Sequence, residues 1–218
     1  MRLGSCDESW LSTQFCKLVE ALEFIRTGIE NRPIHHHDIK PRNILVFGST
    51  GKHPVLKICD WGCASTFLHD HHDKMTLPTA GPPYNPPEAR SDKKTSHPHD
   101  VWSLGCVFFE MLIWHTEGCE VLISFGKGRE ANNDKGWYAA GEDSNELCRT
   151  VISKMNDYES RSNGQFLAKC VKIIKGGMLV FEPERRWSAK KVFDEMSKIR
   201  MQGDEVILDG SLFKVGMG

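Results

Sequence analysis

The 218 residues carry 28 Lys and Arg against 29 Asp and Glu, a formal net charge of −1, with 39% hydrophobic and 26% charged side chains. This composition excludes wholesale disorder and fibrous repeats, and the even charge argues against general nucleic-acid or anionic-membrane binding. The length allows one large domain or two small ones, with a real core and no need of disulfide staples.

Apolar residues at Leu11, Phe15, Leu18, Val19, Leu22, Ile25 and Ile29 follow helical spacing and predict an amphipathic helix from Leu11 to Ile29. Phe24 falls off that stripe and is expected to pack against a second neighbour. Pro33 bars continuation of the helix. Two β-rich runs follow, Ile44 to Phe47 and Val55 to Cys59, separated by the turn sequence Gly48 to Lys52, and they predict a small hairpin.

Residues Ser65 to Pro87, rich in His, Asp, Thr and Pro, show no helical period and are expected to form a long surface segment. Asp100 to Trp114 predicts a helix that is apolar on nearly every side and therefore buried, although Glu110 interrupts it. Residues His115 to Asp143, rich in Gly, Asn, Asp and Lys, are expected to be a loop insertion. Helical patterns return at Ser144 to Tyr158, Phe166 to Ile174 and Ser188 to Ile199. In the last, Ser188 is the expected N-cap, with Val192, Phe193, Met196 and Ile199 on the buried face. Residues 201–218 form a weakly patterned tail.

No run approaches the roughly 20 apolar residues of a membrane span. Met1 to Trp10 lacks the apolar core of a signal peptide. The eight cysteines are scattered without a C-x-x-C pair, so reduced thiols in the cytoplasm or nucleus are expected.

The chemistry concentrates in His36-His37-Asp38-Ile39-Lys40-Pro41-Arg42-Asn43-Ile44-Leu45. A carboxylate, an amine and an amide stand within six residues, just before a strand. Seventeen residues after Asn43 comes Asp60-Trp61-Gly62, just after a second strand. Phosphoryl transfer needs this inventory: a carboxylate to orient the attacking hydroxyl, a second carboxylate and an amide to hold magnesium, and a cation to neutralise the transferring group.

The first segment resembles the catalytic loop of eukaryotic protein kinases, H-R-D-x-K-P-x-x-N in the Ser/Thr branch, and Asp60-Trp61-Gly62 resembles their D-F-G magnesium loop. Pro83 to Glu88 is similar to the end of an activation segment. Asp100 to Cys106 is similar to the start of the central buried helix, and Glu182 to Ala189 to the late D-P-x-x-R segment. Five motifs in family order span roughly residues 10 to 200. The resemblance implies an α+β, mainly helical fold like the kinase C-terminal lobe, over 1–200, with ATP and Mg²⁺ as cofactors. A protein is the implied substrate or partner, without nucleic acid or membrane.

By the same resemblance, Asp38 and Lys40 are the catalytic pair, with Lys40 on the γ-phosphate. Asn43 and Asp60 are the magnesium ligands, and Leu45 belongs to the ATP site. His36, Trp61 and Gly62 are structural, the first two as stacked members of a buried column. Glu88 and Arg186 would form a buried ion pair, and Asp100 would bond the catalytic-loop backbone. Lys40 implies Ser/Thr rather than Tyr preference. Cys59 would face the adenine side, where an ATP-directed electrophile should reach it.

Departures from the pattern set further expectations. Only 37 residues precede Asp38, so the family's small lobe, with its Gly-rich loop and strand lysine, is not expected in this chain. Impaired transfer by this chain alone is the expected consequence. The alternatives are a non-catalytic pseudokinase-type binding module or a fragment of a longer kinase. His37 replaces the usual Arg, so phosphorylation at Ser65, Thr66, Thr76 or Thr79 is not expected to be a strong switch. Trp61 replaces Phe, and Gly81 stands where Ser/Thr kinases usually have Thr.

Overall fold

A computed structural model of the chain describes residues 6–27, 33–48, 53–66, 83–90, 98–131, 136–139, 145–161 and 166–199. In chain order the elements are α1 (Glu8–Thr27), β1 (Ile34–His35), β2 (Ile44–Phe47), β3 (Val55–Ile58), β4 (Ser65–Thr66), α2 (His99–Glu117), α3 (Cys119–Ala131), α4 (Arg149–Arg161), α5 (Phe166–Ile173) and α6 (Ala189–Ser197). The architecture is mainly helical with two small antiparallel pairs, β1 with β4 and β2 with β3.

Helix α1 starts where Asp7 accepts the Trp10 N–H at 2.8 Å, satisfying a first-turn donor. Its buried stripe of Leu11, Phe15, Leu18, Val19 and Leu22 packs on α2 and α6, and Phe15 stacks on Phe108 at 4.0 Å. Two polar residues at its start hold the hairpin. The Trp10 indole donates to the Pro54 carbonyl at 2.6 Å, and the Gln14 side-chain oxygen accepts the Leu56 N–H at 2.9 Å. Phe24, off the stripe that faces the core, is 48% exposed. The expected end of this helix at Ile29 lies outside the described residues.

Helix α2 is the axle of the molecule, buried without a break from His99 to Glu110. At Gly105 it passes so close to the chain that an added Cβ would lie 2.8 Å from the Met178 Cβ, so only glycine fits there. The neighbouring stretch Ile174–Met178 extends α5 as a wider π-turn, which lets Met178 and Leu179 reach α2. Ser188 caps α6 by accepting the Lys191 N–H at 3.2 Å, and Val192 and Met196 are buried as expected.

Two expectations need correction. The stretch 115–143 is not a loop throughout, because residues 119–131, including Gly126-Lys127-Gly128, form α3. Gly118, at φ 88, ends α2 and turns the chain into it. The glycines disguise a helix fixed by tertiary contacts. Phe125 packs edge-on against Phe109 at 5.7 Å, and Gly128 lies against Thr150. The segment from Ser65 is not wholly irregular either, since Ser65 and Thr66 pair with His35 and Ile34. Two residues are too few to leave a readable alternation. The hairpin turn 49–52, the segment 67–82 with His69, His71, His72, Thr76, Thr79 and Gly81, and the tail 201–218 lie outside the described residues.

Candidate active site

The loop between β1 and β2 is hung on the first turn of α2. Both carboxylate oxygens of Asp100 accept backbone N–H groups, from His36 and His37, each at 2.8 Å. Hydrogen bonds to an ionised acceptor are the strong kind. They hold His37 at φ 61, a left-handed conformation that costs a non-glycine residue about 1–2 kcal/mol. Asp38 follows directly on this kink.

His36 ties this loop to the next. Its Nδ1 accepts the Asp38 N–H at 3.3 Å, which leaves the proton on Nε2 to be donated to the Cys59 carbonyl at 3.0 Å. The ring is fully buried and lies 4.6 Å from the Trp61 ring. Beyond it, the Asp38 carboxylate is gripped from two sides. Lys40 Nζ stands 2.6 and 2.9 Å from its oxygens, and the Asn43 amide donates to Oδ2 at 2.9 Å and to the Asp38 carbonyl at 2.8 Å. Asp38, Lys40 and Asn43 are thus one cluster, with Asn43 buried and Asp38 and Lys40 partly open to solvent.

The β2–β3 pairing brings the second carboxylate beside it. Ile44 sits opposite Ile58, and one step further the Cys59 N–H donates to the Asn43 carbonyl at 2.9 Å. Asn43 and Asp60 therefore emerge together at the open end of the hairpin. Asp60 is exposed at φ 64, and its Oδ1 accepts the Gly62 N–H at a long 3.4 Å. Trp61 is 43% exposed and tilted against His36, so of the expected buried column only His36 is buried, and Leu45, Val46 and Phe47 along β2 are 44% to 58% exposed. Cys59 is half-buried.

On the far side, Arg186 and Glu88 form a bidentate pair at 2.7 and 3.0 Å. Arg186 also donates to the Val180 and Pro98 carbonyls at 2.9 and 3.0 Å and lies over the Trp102 ring. This pins residues 83–90 to the start of α2.

A second tether escaped the sequence reading. Glu110 accepts the Tyr84 hydroxyl at 2.8 Å and the Arg129 guanidinium at 2.6 Å, and Ser103 donates to the Tyr84 carbonyl at 3.0 Å. Burial raises the Glu110 carboxyl above its usual range despite Arg129, and burial with the adjacent Glu110 charge pushes the Tyr84 phenol far up. The signal was available: a carboxylate inside a helix apolar on all sides needs a cationic partner.

Magnesium suits hard oxygen donors. Asn43 commits its amide N–H groups to Asp38, which leaves its amide oxygen as the donor for a cation, and Asp60 presents a carboxylate to solvent. These residues fit the metal. Among the described residues, no helix is long and apolar enough to cross a membrane.

A family model described as "Protein kinase domain" matches residues 2–196. Serine/threonine-protein kinase chk1 of Schizosaccharomyces pombe is 31% identical over 121 residues, covering 55% of this chain and 23% of that protein. Ribosomal protein S6 kinase alpha-4 of Mus musculus is 27% identical over 158 residues, 67% of this chain and 20% of that protein. Ribosomal protein S6 kinase alpha-1 of Homo sapiens is 27% identical over 135 residues, 58% of this chain and 18% of that protein. The matched part spans about a fifth of the length of each of these relatives.

Proposed function

Because this chain belongs to the protein kinase family, we propose that it carries the catalytic and magnesium loops of a protein serine/threonine kinase, which transfers the γ-phosphoryl group of ATP to protein Ser or Thr hydroxyls. The observation that supports this reading is the Asp38 cluster: a carboxylate held between Lys40 and Asn43 on a loop fixed by Asp100. Asp38 orients the acceptor hydroxyl and takes its proton. Lys40 balances the negative charge of the phosphoryl oxygens. Asn43 and Asp60 would hold magnesium. Bound Mg²⁺ and ATP supply charge neutralisation and the transferable group. Leu45 lies at the edge where the nucleotide base would rest.

Transfer by this chain alone is weak in this reading. Asp60 is exposed among the described residues, and in water opposite charges at about 4 Å attract by only about 1 kcal/mol. The exposed apolar side chains of Leu45 and Phe47 on one side of β2, with Val46 on the other and Trp61 in the next turn, favour a second reading, a non-catalytic module that binds a protein. Either role suits a cytoplasmic or nuclear protein with a protein partner.

The test is incorporation of labelled phosphate from Mg-ATP into Ser/Thr peptides, with Asp38→Asn alongside. Slow transfer to Ser or Thr, reduced about 10²- to 10⁴-fold in Asp38→Asn, is expected. Transfer indifferent to Asp38 contradicts the proposal, and a folded chain without transfer supports the binding module.

A further inference from the structure

Three buried histidines meet behind the catalytic loop, and the proposed chemistry uses none of them. His35 lies on β1, His37 in the loop after it and His99 at the start of α2. Their exposures are 6%, 3% and 1%. The His35 and His37 rings stack at 5.6 Å, and His99 meets His37 edge-on at 5.3 Å. His37 Nε2 lies 2.8 Å from the Ser65 hydroxyl on β4. His37 Nδ1 and both ring nitrogens of His99 are buried without a hydrogen-bond partner. Buried polar atoms are rarely left so.

Each charge close by is already committed. Asp100 gives both carboxylate oxygens to the backbone of His36 and His37. Arg186, from the stretch before α6, is paired with Glu88 from residues 83–90. His35 and His36 are the other titratable neighbours among the described residues, and Ser65 is the neutral one. A proton on His99 would therefore place a cation beside a guanidinium and another imidazole, with no acceptor for the new N–H. Burial, outweighing the attraction of Asp100, lowers His99 to about 4 and also lowers His37.

We propose that His37 and His99 form an acid-sensitive latch, which holds β4 against β1 only while both rings are neutral. β1 and β4 pair over just two residues, so the His37–Ser65 bond is a large part of what joins them. When the latch opens, the rings reach water and regain an ordinary value near 6.5. Both folded values are depressed, so the closed form is fully favoured above about pH 6.5 and loses ground as pH falls below it, until His99 itself charges at about 4. Between about pH 7.5 and 5.5, His99 raises the open population about tenfold, and His37, shifted in the same direction, adds to it.

Hydrogen exchange of the intact chain, corrected for intrinsic pH dependence, tests this without reference to activity. Amides of residues 34–37 and 65–66 should lose at least about tenfold protection over that interval, while Leu104–Phe109 in α2 holds. His99→Phe should remove at least tenfold of the excess. Equal pH dependence in both regions, or an unchanged excess in His99→Phe, overturns the latch. NMR titration of the histidine rings in the unmutated chain gives a second reading that needs no variant. The His99 ring should stay neutral in the folded form down to about pH 5.5, and a folded-state midpoint near 6.5 for His99 contradicts the proposal.

Discussion

The loop bearing Asp38, Lys40 and Asn43 and the turn bearing Asp60 are neighbours, joined by the Asn43–Cys59 backbone bond, yet they are held in opposite ways. The first is anchored from behind: Asp100 takes two of its N–H groups, His36 is fully buried, and Asp38 is gripped on both sides. In the second, Asp60 and Trp61 are exposed, and among the described residues the Asp60 carboxylate has one long contact, from the Gly62 N–H. Under the proposed function, the part that would align an acceptor hydroxyl is preorganised, and the part that would meet metal and nucleotide is exposed among the described residues. Positioning of the reacting group would then belong to the helical core.

Four substitutions probe this contrast. The largest effect is expected where the anchored side is pinned. Arg186→Ala removes a guanidinium that makes a bidentate pair with Glu88 and holds the Val180 and Pro98 carbonyls, and should cost about 3–5 kcal/mol in denaturant unfolding. Asp100→Asn removes the charge that strengthens both bonds and sets an NH₂ donor against one of the two N–H groups. A loss of about 1.5–3 kcal/mol is expected, with faster amide exchange at His36 and His37. Tyr84→Phe deletes one bond to Glu110, which keeps Arg129. About 1–2 kcal/mol should be lost, read as a lower melting temperature. The smallest effect belongs to the open side: Val46→Thr should stay within about 0.5 kcal/mol of the parent by the same unfolding measurement. If Val46→Thr proved as costly as Asp100→Asn, the open face would have to be part of the core.

Much of the fold was legible because its signals are local. The period of Leu11 to Ile25 gave α1, the all-round apolar run gave α2, and Ser188 gave the start of α6. Helix α3 was hidden because Gly126 and Gly128 lower local propensity, while the contacts that stabilise it reach Phe109, Glu110 and Thr150 from distant segments. The β1–β4 pair was hidden because two residues carry no period. At the candidate site, residue types and spacing pointed to Asp38, Lys40, Asn43 and Asp60. Spacing could not reveal that His99 would arrive beside His37, since their contact depends on how α2 meets the loop.

The measurement that bears most directly on the site is a calorimetric titration of ATP into the intact chain with and without Mg²⁺, repeated with Asp60→Asn. If Asn43 and Asp60 hold the metal, ATP binding should require Mg²⁺ and fall at least tenfold in Asp60→Asn, about 1.4 kcal/mol, while the unfolding midpoint stays unchanged. ATP binding that is independent of Mg²⁺, or equal in the two proteins, would contradict the assignment of these two residues.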